Sequence, residues 1–330
     1  MIRQSELMEW RDCRQKWLLR WYLGLDEKTK EQEPIQFGSA WGSIMDAIWE
    51  HRFSESMEPF TRMDIEFSLN QYLMEADIEG EPEWFDLIVE MAERYIDESE
   101  TLKFAERRIG TEQEVSASGI ICGHIDKVIY ANGEVWLVDH KTTSKRLDEW
   151  ERKNGTKPQL SFYSLLSHIG AGVKPAGVIW DVARKAVPAK PEDYKTIKKG
   201  ALSKVTPKEA TPEGWRKACA KNIAELSVEG KPAKEPDWYA QKLRDLEKRD
   251  TRYFDMMVYR ISDEELERTA QEARITALEV ASARASLIGK KPEKADFPRN
   301  AQACYRYNRE CPVAHYCKHG FEPTNNGEQQ

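Results

Sequence analysis

No apolar run in the 330-residue chain approaches the roughly 18–20 residues that a membrane-spanning helix requires. No apolar signal-peptide core follows Met1-Ile2-Arg3-Gln4-Ser5-Glu6, so the expected compartment is a reducing cytoplasm. Six cysteines are too few, in a chain this long, for a disulfide scaffold. Positive charge is also not in excess: the net charge is -7, which excludes a general nucleic-acid coater. There is no Gly-x-x-x-x-Gly-Lys-Ser/Thr phosphate loop, so any unwinding motor would be a separate protein. No internal repeat is evident. What remains is a hydrophilic globular chain, 40% hydrophobic and 32% charged, with length enough for a substantial core.

The most informative segment runs from Gly123 to Lys141. Asn132-Gly133 between two β-rich runs signals a two-residue hairpin, because a type I′ turn needs positive φ at both central residues. In that register Ala131 faces Glu134, Asp126 faces Asp139 and His124 faces Lys141. Directly opposed residues share a sheet face, so these four are expected on one patch. Ile125, Ile129, Trp136 and Val138 are expected on the other. Two opposed carboxylates destabilise a sheet unless something positive lies between them. A divalent cation held by carboxylates with a lysine at its edge is a phosphodiester-cleaving arrangement. The bland alternative is an exposed strand pair whose polar residues face water.

Helices are expected over about 5–24, with Ser5 as N-cap and Gly24 at the end, then about 38–51, 63–75 and 83–99. Strands follow at about 112–118, 123–131 and 134–141. A helix from Pro158 to about Ser167, a buried strand over 176–183, a strand over 251–261 and a charged helix over 263–287 capped by Ser262 complete the pass. Between Arg184 and Lys221 there are 11 Lys/Arg against 4 Asp/Glu. That stretch reads either as a solvated linker or as an electropositive patch for a phosphate backbone, and residues 188–213 as extended. The order of elements predicts an α/β core with helical elaborations on both sides.

At these residues the chain resembles PD-(D/E)XK nucleases of the RecB/AddB exonuclease-like type, which include CRISPR-associated exonucleases and phage proteins. Gly123-His124-Ile125-Asp126 matches the Gly-x-x-Asp element, and Val138-Asp139-His140-Lys141 the Asp/Glu-x-Lys element. Gln159-Leu160-Ser161-Phe162-Tyr163 matches the Gln-x-x-x-Tyr helix. The resemblance implies a restriction-endonuclease-like mixed sheet flanked by helices. It implies Mg²⁺ or Mn²⁺ on Asp126 and Asp139, a catalytic Lys141, and Gln159 and Tyr163 positioning the lysine or the DNA. The family's Gly-x-x-x-His helix is altered: Gly42-Ser43-Ile44-Met45-Asp46 puts Asp46 at the histidine position, with Glu50 beyond. A carboxylate suits a hard cation better than imidazole does, so Asp46 is expected on the metal. His51 is a weaker substitute, and the frame Gly38-Ser39-Ala40-Trp41-Gly42 would leave no ligand. Glu114 is a supporting acid or a solvated strand position.

Cys304, Cys311 and Cys317 cluster within fourteen residues, with Pro312 after Cys311. Thiolates select zinc or iron–sulfur clusters. His315 or His319 could complete a Cys₃His zinc site, and Cys13 is the other fourth ligand. Iron–sulfur members of the resembled family carry one cysteine upstream of the nuclease core and three downstream. The resemblance therefore implies a [4Fe–4S] cluster on Cys13, Cys304, Cys311 and Cys317, with Zn²⁺ as the alternative. Cys122 reads as a buried strand residue.

The organisation expected is one elaborated nuclease domain over 1–320. Its core spans about 105–185 plus 251–261, with N-terminal helices over 1–104 and a basic insertion at about 186–250. A C-terminal helix and cysteine cluster occupy 262–319, and 320–330 form a disordered tail. The function expected is a metal-dependent DNA exonuclease on single-stranded DNA or DNA ends, in recombination, repair or end-processing. Recombination or helicase proteins are the expected partners, no membrane is involved, and the setting is a bacterial or phage-infected cell. The competing functions are a DNA-binding or assembly module with a weakened site and a zinc-stabilised interaction protein.

Overall fold

The computed structural model describes residues 1–25, 33–117, 120–154, 158–197, 201–228, 237–290, 296–306 and 309–319. The chain opens with β1 (Ile2–Arg3), α1 (Gln4–Asp12) and α2 (Arg14–Trp17), then a π-helical turn over Leu18–Tyr22. Helices α3 (Glu33–Arg52), α4 (Arg62–Glu75), α5 (Phe85–Glu98) and α6 (Glu100–Phe104) follow. Strands β2 (Arg107–Ala117), β3 (Ile121–Ala131) and β4 (Glu134–Thr143) come next. Helices α7 (Leu147–Asn154) and α8 (Pro158–Gly170) lead to β5 (Gly177–Arg184). Helices α9 (Pro212–Val228) and α10 (Asp237–Glu247) precede β6 (Phe254–Arg260) and α11 (Asp263–Ser286). Short strands β7 (Tyr305–Arg306) and β8 (Arg309–Glu310) and helix α12 (Ala314–His319) close the described chain. None of the described helices is long and apolar enough to cross a membrane.

The expected N-terminal helix is interrupted. It starts at Gln4 rather than after a Ser5 cap, and it breaks at Cys13, whose backbone is extended (φ -160°, ψ 107°). The break is held from the other end of the chain. The Asn300 side chain donates to the Asp12 carbonyl at 2.9 Å, and the Asn300 N–H approaches Cys13 Sγ at 3.4 Å. The Ser262 cap on α11 is as expected, its hydroxyl accepting from the Glu265 N–H at 3.2 Å.

The six strands β1–β6 form a mixed sheet. β3 is antiparallel to β2 and β4, β4 is parallel to β5, and β5 is antiparallel to β6. Asn132 and Gly133 take φ values of 51° and 81°, so the β3–β4 turn has the positive φ pair that its sequence predicts. Its register is the expected one from Ala131↔Glu134 to Lys127↔Val138, and there the ladder ends. On the same side of β3, β1 takes over only at Cys122. Residues 123–126 therefore border a fork where β4 leaves β3.

Helices cover both sheet faces, which is the restriction-endonuclease-like α/β arrangement in outline. Leu137, Val178, Trp180 and Val182 pack with α1, α8 and α11, whereas Trp136, Val138, Ile179 and Ala183 pack under α3, α4 and α5. Ile125 departs from the expected alternation and joins the α8 side, because β3 is free of β4 beyond the fork. Gly123 lets α8 come close: a Cβ there would lie 2.7 Å from Leu166 Cδ1.

The segment between β5 and β6 is not wholly extended. Around residues 189–246 a third cluster forms from Tyr194, Leu202, Trp215, Cys219, Tyr239 and Leu246. Its basic residues are partly neutralised within the chain. Arg184 pairs with Glu209 at 2.8 Å, Lys190 with Glu90 at 2.9 Å, Arg216 with Glu247 at 2.5 Å and Lys217 with Glu213 at 2.7 Å.

Candidate active site at the strand fork

The fork turns a local strand property into a charged centre. Past Lys127↔Val138 the backbone of β4 needs a new hydrogen-bond acceptor on its β3 side. The Asp126 carboxylate supplies it, Oδ2 accepting from the His140 N–H at 2.9 Å. Asp126 and Asp139 are therefore not a ladder pair as the turn arithmetic predicts; Asp126 bridges the gap through its side chain. His124 is exposed and its ladder partner is Glu114, so it does not face Lys141. The side chain of Glu114 lies outside the described residues.

Asp139 sits 2% exposed beside Trp180 in the ladder to β5. Its Oδ2 lies against the Lys141 ammonium as an ion pair, yet among the described residues no aligned donor hydrogen-bonds to it. Burial pushes the Asp139 carboxyl up, Lys141 pulls it back and Asp126 pushes it up again, leaving it above the usual carboxylate value. For Lys141 burial works downward, but Asp139 and Asp126 outweigh it and hold the amine above its usual value. Lys141 is thus an ammonium at any working pH.

α8 brings Gln159 and Tyr163 one turn apart, and Gln159 Nε2 donates to the Tyr163 hydroxyl at 2.7 Å. Burial first, then the Asp139 charge, pushes the Tyr163 phenol up to about 12. It is a neutral hydroxyl facing the two carboxylates and the ammonium.

Asp46, on α3, reaches the hairpin but meets a cation there. Lys127 Nζ donates to Asp46 Oδ1 and, at 3.2 Å, to the Asp126 carbonyl. Glu50, one turn further along α3, accepts from Arg108 at 2.5 Å. Glu50 is held below the usual carboxylate value, mainly by that hydrogen bond. His51 turns away, its Nε2 2.8 Å from the Glu58 carbonyl and its ring against Phe60. Among the described residues no three His, Cys, Asp or Glu side chains lie close enough together to hold a metal ion. Asp126 and Asp139 converge; Asp46 is engaged by Lys127 instead.

Sequence reasoning missed Lys127, which is 1% exposed. The signal was available, since a lysine alternating with Ile129 and Ala131 on the apolar side of a strand needs a buried partner.

At the chain ends the cysteines gather in part. Cys13 and Cys304 both lie close enough to Cys311 to push its thiol up, after burial, which is the larger cause. The Cys311 N–H donates to the Cys304 carbonyl at 2.8 Å. Cys317 follows on α12, its N–H donating to the Val313 carbonyl at 3.0 Å. None of these cysteines is disulfide-bonded. His315 is exposed, and the side chain of His319 lies outside the described residues. Cys122 is buried in β3, as its strand position predicts.

No curated protein sequence matches the chain. A family model described as the PD-(D/E)XK nuclease superfamily matches residues 4–318, nearly the whole chain, including β2 to β6 and α8 but not β1. With the mixed sheet, the Asp126 bridge and the Asp139-x-Lys141 strand in place, the chain belongs to the PD-(D/E)XK nuclease superfamily.

Proposed function

We propose that the chain is a divalent-metal-dependent deoxyribonuclease that acts on single-stranded DNA or DNA ends. The observation that carries this is the buried, incompletely hydrogen-bonded Asp139 beside Asp126 and Lys141 at the fork. Lys141 offsets only one of the two converging carboxylate charges, so the donor set fits the further positive charge of Mg²⁺ or Mn²⁺. Asp126 and Asp139 are the proposed ligands. Asp46 is a third, provided that it exchanges Lys127 for the ion. A bound divalent ion supplies Lewis-acid polarisation of the scissile phosphate and acidifies an attached water.

The remaining work belongs to the chain. Lys141, held as an ammonium by Asp139 and Asp126, offsets the negative charge that develops on the phosphoryl oxygens. Tyr163 stays a phenol and, with Gln159 as its hydrogen-bond donor, orients Lys141 or a phosphate. The deciding assay uses 5′- and 3′-end-labelled single- and double-stranded DNA with Mn²⁺ or Mg²⁺. Lys141→Ala should cut about 10²–10³-fold more slowly, the usual cost of one transition-state donor. Wild-type activity in that variant, or none in the wild type, overturns the reading; the latter favours a DNA-binding or assembly module.

The same reading includes a [4Fe–4S] cluster on Cys13, Cys304, Cys311 and Cys317. Cys13 and Cys304 each influence the Cys311 thiol, although among the described residues no three of these side chains group as metal ligands; soft donors from both chain ends, with His315 exposed, favour four sulfurs over a Cys₃His zinc site. Its role is to hold the ends together and orient DNA. Anaerobically purified protein should show charge-transfer absorbance and carry iron and sulfide, both lost in Cys13→Ser. Zinc without iron overturns this part. End-processing in recombination or repair, beside recombination or helicase proteins, is the setting that such an activity suits.

A further inference from the structure

Behind the fork, on the side of the sheet covered by α3 and α5, lies a polar network for which the nuclease chemistry has no use. His140 stands between Asp139 and Lys141 in β4 and points the opposite way. Its Nδ1 lies 2.8 Å from Asp181 Oδ2, and the Tyr95 hydroxyl donates to that same oxygen at 2.5 Å. Trp49 Nε1 donates to the Tyr95 oxygen at 3.3 Å, and the Trp49 ring meets His140 edge-on with centroids 5.9 Å apart. The His140 and Asp181 side chains are 3% and 2% exposed, and Tyr95 and Trp49 are fully enclosed.

Two observations give this network a purpose. First, β4 has lost β3 at this height, so only β5 pairs with Asp139, His140 and Lys141. Second, the His140 N–H is the group that holds Asp126. One residue is thus gripped on one side of the sheet by Asp181 and on the other holds an active-site carboxylate. Stability alone is a poor account of it. A buried Asp, Tyr and His in an apolar layer give no net gain over hydrocarbon of the same volume, and His140 Nε2 has no hydrogen-bond partner among the described residues.

We infer that Asp181, with Tyr95 and Trp49, is a positioning residue for the nuclease centre. By fixing His140 it sets the β4 segment that presents Asp139 and Lys141, and it aims the amide that holds Asp126. Trp49 lies three residues beyond Asp46 on α3, so the network also sets that helix against the hairpin. The inference rests on the nuclease reading of Asp126, Asp139 and Lys141.

The test compares the full chain with its Asp181→Asn and Tyr95→Phe variants by two independent readouts. Hydrogen exchange at the His140 amide in chelator needs neither metal nor activity. It should accelerate in Asp181→Asn while the Trp136 amide, which faces β3 inside the intact β3–β4 ladder, is unchanged. Mn²⁺ affinity, read from the paramagnetic resonance of free Mn²⁺, should weaken about 10–100-fold, as for other residues that orient metal ligands. On labelled DNA, kcat should fall while KM holds. Tyr95→Phe should move each readout the same way by a smaller step, and it carries the test if Asp181→Asn does not fold. Wild-type exchange at His140, or equal acceleration at His140 and Trp136, overturns the inference. If the wild type neither binds Mn²⁺ nor cuts DNA, the nuclease reading has failed, and the His140 amide alone decides the positioning role.

Discussion

The Asp46–Lys127 pair can be tested sharply because its partners are unequally buried. The Lys127 side chain is 1% exposed and that of Asp46 is 33% exposed. Asp46→Ala leaves an ammonium among Ile129, Trp136 and Val138, with the Asp126 carbonyl at 3.2 Å its one remaining acceptor among the described residues and Glu50 acting on it only through charge. Removing one partner of a buried pair costs about 3–5 kcal/mol, because the remaining charge is uncompensated. Lys127→Met leaves a carboxylate that already meets water and has Arg108 nearby, while methionine refills the lysine stem. Its loss should be about 1 kcal/mol, the scale of a partly exposed pair. The variant lacking the more exposed residue should therefore be the less stable one. In Asp46→Ala/Lys127→Met the buried charge is gone, so the double variant should recover about 2–3 kcal/mol relative to Asp46→Ala. Urea unfolding in chelator, followed by far-UV circular dichroism, reads these differences without metal linkage. Equal losses in the two single variants would refute the argument, and so would a double variant no more stable than Asp46→Ala.

Three further outcomes follow from the geometry. Gly123→Ala should destabilise by about 1–3 kcal/mol through overpacking against Leu166, and adding Leu166→Val should return part of that loss in thermal melts. Asn132→Ala should cost about 1–2 kcal/mol, since its φ of 51° is left-handed; an unchanged melting temperature would contradict the turn type. The raised Asp139 carboxyl makes metal-free stability depend on pH. A raised acid favours the folded state fully below its ordinary value of 3.8, and that contribution is lost as pH climbs through the raised value. In chelator, wild type should therefore lose stability relative to Asp139→Asn as pH rises from 4. A constant difference would show that the carboxyl is not perturbed.

The hairpin was legible because Asn132-Gly133 specifies a turn whose geometry fixes every pair up to Lys127↔Val138. The fork was not, because the end of a ladder depends on where β1 and β4 run rather than on β3. The break at Cys13 was equally hidden, since it is stabilised by Asn300 from 287 residues away. Asp181 left a trace, as the acid inside the buried run Gly177–Arg184. So did α9, where Trp215, Ala218, Cys219 and Asn222 recur at helical spacing beneath a surface of lysines that drew attention to charge.

The contacts between the two ends of the chain have a consequence for the order of events during synthesis. Trp10 donates to Glu279, Arg284 grips Glu6 and Asn300 holds Asp12 across separations of 269, 278 and 288 residues. Asp126 meets His140 across 14. Closing the longer loop costs about 2.6 kcal/mol more chain entropy by the logarithmic scaling. On the ribosome α1 must wait, with Trp10 and Trp17 unsheltered, until α11 has emerged, long after the hairpin and α8 can pair. Contacts that form last act on the rate of leaving the native state rather than on the rate of reaching it. Arg284→Ala should accordingly speed unfolding and leave the folding rate nearly unchanged in stopped-flow measurements, which makes the joined ends a brake on opening.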